Sequence, residues 1–119
     1  MSLLSPPLTQ FAGALASAAR TTAGNGVAMT APGTARALIV WIGASAVTGM
    51  MHPAVEWTRP DGVTFALPDP VGDSFQTFSA PGSQLKIFTI RGAAARLSWA
   101  VGGSSPSTTF SADFAWLLG

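Results

Sequence analysis

The side chains able to do acid–base or nucleophilic work are few: one histidine, His52, five carboxylates and six Lys or Arg, with no cysteine. A hydrolase triad would have to be built on His52 with one aspartate and one serine, and geometry rather than presence makes a triad. The serine-bearing stretch Gly102-Gly-Ser-Ser-Pro106 lacks the Gly-x-Ser-x-Gly spacing and the following helix of a nucleophile elbow. His52 lies beside turn residues and reads as a loop side chain. Asp61, Asp69 and Asp73 could in principle supply the carboxylates of glycoside hydrolysis or a calcium shell. Their spacing matches no EF-hand loop, and each sits where aspartate commonly braces a turn through local backbone hydrogen bonds. No glycine loop enters a helix to cradle phosphate. The absence of cysteine removes thiolate zinc sites and disulfide scaffolds. The expectation is a protein that is not an enzyme and uses no cofactor or metal.

The four tryptophans offer a different chemistry, stacking on sugars or on a partner surface. Trp99 alternates with Leu97 and Val101, and Trp116 with Phe114, which places both on apolar faces and favours core over binding. Trp57, next to Glu56 and close to Arg59, is expected to be partly exposed and is a candidate contact residue. The apolar tail Trp116-Leu117-Leu118 is a second candidate contact. The arm that begins the chain, with Leu3, Leu4, Leu8 and Phe11, is a third.

Holding these residues falls to β-structure. Turn clusters recur at Gly24-Asn-Gly26, Ala31-Pro-Gly33, Pro60-Asp-Gly62, Pro68-Asp-Pro70, Ala80-Pro-Gly82 and Gly102–Pro106, leaving little room for helices. Ala12 to Arg20 has helix-permitting alanines, yet a strand running into Thr21-Thr22 is the preferred reading. Period-2 alternation is clear in Arg96–Val101 and in Thr108–Trp116. The intervening Gly102–Pro106 predicts that these two strands form a hairpin. Further strands are expected at 27–30, 35–47, 53–59, 63–67, 74–79 and 84–90. About eight or nine antiparallel strands without a helix imply an all-β fold, a sandwich of jelly-roll or Ig-like type with a barrel as the alternative. Residues 1–13 are expected as an extended arm and 14–119 as a single β domain. The arm ends in small residues, but it has no basic start and is broken by Pro6-Pro7, which argues against a secretory leader.

The 119 residues are about one domain's worth. Net charge is +1, which supplies no electrostatic footprint for nucleic acid or an anionic membrane. Charged residues make up only 9% of the chain, against roughly 25% in ordinary soluble domains. With a mean hydropathy of +0.40, part of the surface is expected to be covered by other subunits. Leu38, Ile39, Val40, Trp41 and Ile42 are apolar on both faces of one strand, and a neighbouring copy could cover the outer one. The longest apolar run, Ala37 to Val47, falls far short of the roughly 20 residues of a membrane-spanning helix.

Two glycine–proline segments echo one another, Ala46-Val-Thr-Gly49 followed by Pro53 and Ala100-Val-Gly-Gly103 followed by Pro106. Together with Pro60-Asp-Gly-Val-Thr-Phe65, Pro81-Gly-Ser83 and Arg96-Leu-Ser-Trp-Ala-Val-Gly-Gly-Ser-Ser-Pro-Ser-Thr-Thr-Phe-Ser111, they resemble small β-rich structural proteins of tailed-bacteriophage virions. Those proteins carry a "VSGTSPT" hairpin, an "SPDG-x-x-F" turn and a closing "WTVGGTSPSFTFSV" hairpin. The resemblance covers about Thr21 to Phe114 and departs at Met50-Met51-His52 and at Trp116–Gly119. It implies a decoration, or cement, protein on the capsid exterior, made in the host cytoplasm. Its implied partners are the major capsid protein and copies of itself, as a trimer. A tail- or neck-associated protein, or a receptor- or carbohydrate-binding module that takes a glycan, is the alternative it leaves open.

Overall fold

The computed structural model describes residues 8–119. They form seven strands: β1 (Leu8–Arg20), β2 (Gly24–Asn25), β3 (Met29–Thr30), β4 (Ala35–Thr58), β5 (Phe65–Ala66), β6 (Gly82–Thr89) and β7 (Ala94–Leu118). There is no helix among them. All seven belong to one antiparallel sheet, curled into a half-barrel. This differs from the expected two-sheet sandwich in having one continuous sheet and fewer strands, and the curl lies nearer the barrel alternative.

The spine is the β4/β7 ribbon, paired from Ala35↔Leu118 to Trp57↔Ala95. β1 pairs with the C-terminal half of β7, while β2 and β3 pair with its N-terminal half. On the other side of the ribbon, β6 takes the first half of β4 and β5 its end. β4 runs through Leu-Ile-Val-Trp-Ile, the β-branched and aromatic types that fit a pleated, half-buried surface.

The predicted hairpin at Gly102–Pro106 does not form. Met50 pairs with Gly102 and Thr48 with Ser107, so residues 103–106 bulge from β7 opposite Gly49 alone. Both halves of β7 keep partners in β4, and the strand does not reverse. The local chemistry that predicts a turn serves the bulge instead: Gly49, Gly103 and Ser105 have φ of 75°, 104° and 48°. Pro106, which has no N–H to give, sits where the ladder is interrupted. The two echoing glycine–proline segments therefore face each other at one crossing point.

A second irregularity at Ser45, where Ala44 pairs with Phe110 and Ala46 with Thr109, changes the parity of β4. Before it, Leu38, Val40, Ile42 and Ala44 point into the core; after it, Met51, Val55 and Trp57 do. The ribbon thus bends while keeping one face inward, which is a known use of bulges. Its two ends then meet: the rings of Trp57 and Trp116 lie 6.4 Å apart, and Trp99 packs edge-on against Phe110 at 5.3 Å. Phe75 and Phe78, from the loop before β6, complete the core on the concave side. The expected strand at 74–79 is reduced to single bridges, Ala54↔Ser74 and Met51↔Phe78.

The expected arm is only partly outside the domain. Residues 8–13 are the opening of β1 and pair with β7 from Leu118 to Phe114. Leu3 and Leu4 lie outside the described residues.

Candidate functional site

The aspartates that invited catalytic or metal readings are turn braces. The Asp61 carboxylate accepts the Val63 and Thr64 N–H groups at 2.9 and 2.8 Å and the Thr64 hydroxyl at 2.6 Å. These bonds, the hydroxyl's first, hold its pKa down to about 2. Asp69 accepts the Val71 N–H; hydrogen bonds from the Gly72 and Val71 backbone hold its pKa below the usual value. Asp73 is fully buried, accepts the Asp69 N–H and meets Arg91 Nε at 3.1 Å, pinning the 69–73 loop to the start of β7's connection. His52 Nδ1 lies 3.0 Å from the Thr77 hydroxyl, with no carboxylate hydrogen-bonded to the ring among the described residues. These polar groups therefore hold loops in place.

What the fold builds is a surface. In the half of the sheet made by β1, the second half of β7, the first half of β4 and β6, residues alternate between the core and a convex outer face. The register aligns the outer residues in rows across all four strands. One row reads Phe11, Ala115, Ile39, Ile87. Its neighbours read Ala14, Asp113, Trp41, Leu85 and Thr9, Leu117, Ala37, Thr89. Phe11, Leu85 and Ile87 are 68%, 65% and 57% exposed; Ile39, Trp41 and Leu117 are half-buried. A side chain on Gly43 would collide with the Trp41 ring, so the indole occupies the space that this glycine leaves open. Asp113 is the only charged residue in these rows.

The expected contact residues divide between two environments. Phe11 and Leu117 lie on the convex face. Leu8 and Leu118 are paired at the sheet's end, with Leu118 packed against the core and Leu8 exposed. Trp57 and Trp116 are corrected: they are 0% and 2% exposed. Glu56 and Arg59 drew Trp57 toward the surface in sequence terms. In the fold Glu56 instead pairs with Arg96 across the sheet at 2.8 Å, while the parity set at Ser45 turns Trp57 inward.

No known family model, curated protein or solved structure matches this chain.

Leu85 and Ile87 escaped the sequence reading. In Gln84-Leu-Lys-Ile-Phe88 alternation would bury the leucine and isoleucine, whereas the structure buries Phe88 beside Phe75, ring centroids 5.2 Å apart. Lys86 shares that inner side by turning its ammonium onto the Ser74 and Val71 carbonyls at 2.6 and 3.3 Å. The apolar pair is left facing out. The available signal was the doubly apolar Leu38–Ile42, which marks an outer face needing cover and extends to the strand paired with it.

Proposed function

We propose that this chain is a structural protein of a tailed-phage virion, an auxiliary protein on the capsid exterior that binds between capsomers and associates with copies of itself. The observation that carries this reading is the convex apolar face. A sheet surface four strands wide with one charged residue is costly to leave in water, and it suits the core of an obligate interface, where charged residues are depleted. The sequence pattern from Thr21 to Phe114 supports the virion assignment. Repetition over a capsid lattice would multiply individually weak contacts. The glycan-binding alternative relied on an exposed Trp57, and that indole lies in the core.

The test is sedimentation of the purified chain with undecorated heads of the source phage. Saturable binding at a fixed ratio to the major capsid protein is expected, together with heads that resist heating better. Absence of binding to heads at micromolar concentrations would refute the capsid role.

A further inference from the structure

Asn25 is the only asparagine in the chain, and glycine follows it. An asparagine amide in that position can react with its own backbone. The Gly26 nitrogen attacks Asn25 Cγ, a Cγ–N bond forms and the Cγ–Nδ2 bond breaks, and the Gly26 hydrogen leaves with the side-chain NH2 as ammonia. Water then opens the five-membered imide. Opening at Cγ leaves aspartate, and opening at the main-chain carbonyl leaves isoaspartate, with the backbone rerouted through the side chain. Glycine favours ring closure because it has no Cβ in the way and a permissive backbone. We propose that Asn25-Gly26 is a self-modification site of this kind, open in the unfolded chain and closed by the pairing of β2 with β7. It is independent of the virion reading.

Asn25 is exposed, so water reaches its amide, and the closure lies in the main chain. The Gly26 N–H, whose nitrogen is the nucleophile, donates to the Leu97 carbonyl at 2.7 Å. That bond holds the proton the nitrogen must lose and keeps its lone pair from turning toward Cγ. Asn25 itself lies in β2, paired with Ser98. Strand backbone has ψ of about +135°, and closing the imide requires rotation well out of that range. The segment is fastened on both sides of Asn25. Before it, the Trp99 indole N–H donates to the Thr22 carbonyl at 3.1 Å, and Gly24 packs so close to that ring that a Cβ would come within 2.7 Å of it. After it comes the Leu97 bond. Two residues pairing with β7 alone among the described strands open far more easily than the long β4/β7 ribbon, so the fold slows the reaction without abolishing it. The mark is one-way: isoaspartate adds a methylene to the main chain and shifts Gly26 out of register with Leu97.

Peptide mapping by mass spectrometry on the full chain, in mildly alkaline buffer, follows Asn25 in the folded protein and in the protein unfolded by guanidinium chloride. The unfolded chain is expected to give a mixture of aspartyl and isoaspartyl peptides, and the folded chain to convert at least about tenfold more slowly. Gly26→Ala is the chemical control. Its Cβ would meet Leu97 atoms no nearer than 3.7 Å, an ordinary contact, so the circular dichroism spectrum should be unchanged while conversion of the unfolded chain falls several-fold. Equal rates in the folded and unfolded chains, with a native spectrum for the former, would overturn the guard. An Asn25 that persists in guanidinium chloride, or a Gly26→Ala chain that converts there as fast as the natural sequence, would overturn the site. Head binding is measured on freshly purified chain, so its failure and the failure of this proposal are told apart.

Discussion

The crossing of β4 and β7 can be tested with two glycines that share a backbone conformation but not an environment. Gly49 and Gly62 both have φ of 75°. An alanine at either position must adopt a left-handed conformation, which costs about 1–2 kcal/mol. At Gly62 nothing lies within 4 Å of the added Cβ. At Gly49 the Cβ would collide with the Gly102 carbonyl oxygen and press on Pro106, whose Cβ lies 3.4 Å away. Gly102 is held in the ladder opposite Met50 and Pro106 closes the 103–106 bulge, so relief requires moving main chain. Forced displacement of packed groups costs typically about 1–3 kcal/mol more. Gly49→Ala is therefore expected to lose about 2–5 kcal/mol and Gly62→Ala about 1–2 kcal/mol. Urea unfolding followed by tryptophan fluorescence and circular dichroism measures both, with the slope m checked for constancy. At this size each kcal/mol lowers Tm by about 3–6 °C. Equal losses at the two sites would refute the reasoning, because they would mean that the ribbon does not close on Gly49.

Asp73→Ala should destabilise by about 2–3 kcal/mol, since it removes the buried one of Arg91's two carboxylate partners and strands the Asp69 N–H; the remaining pair with Asp69 and the partial exposure of Arg91 keep the loss below that of a fully buried pair. A change under about 0.5 kcal/mol in chemical denaturation would show that the 69–73 loop is held by other means. Asp61 has a folded-state pKa depressed from the ordinary 3.8 to about 2. Its contribution to stability is thus fully present above the unfolded value and is lost as pH falls through about 2. Asp61→Asn should flatten the acid limb of the stability profile, and an NMR titration of this carboxyl with an ordinary midpoint would contradict the Thr64 hydrogen bonds.

Much of the fold was legible in short-range pattern. Alternation in Arg96–Val101 and Thr108–Trp116 assigns faces correctly in both halves of β7, because side chains on a strand alternate whatever the strand pairs with. Asp61, Asp69 and Asp73 read as turn formers for the same local reason. The double apolar run Leu38–Ile42 marked an outer face in need of cover, and that face is the candidate site.

By itself, then, the sequence determined an all-β chain, its turn chemistry and a shortage of charge too marked for a well-covered solitary surface. Tertiary structure decided the rest. Glycine, serine and proline at 102–106 satisfy a hairpin and a bulge equally well, and the choice fell to β4, which is long enough to pair with both halves of β7. That pairing let the ribbon curl until Trp57 met Trp116, burying Trp57 although its neighbours Glu56 and Arg59 pointed outward. It also gave Phe88 and Lys86 the inner side of β6 and left Leu85 and Ile87 in the open. Such outcomes depend on contacts between residues far apart in the chain, where the free energy of burial outweighs local preference.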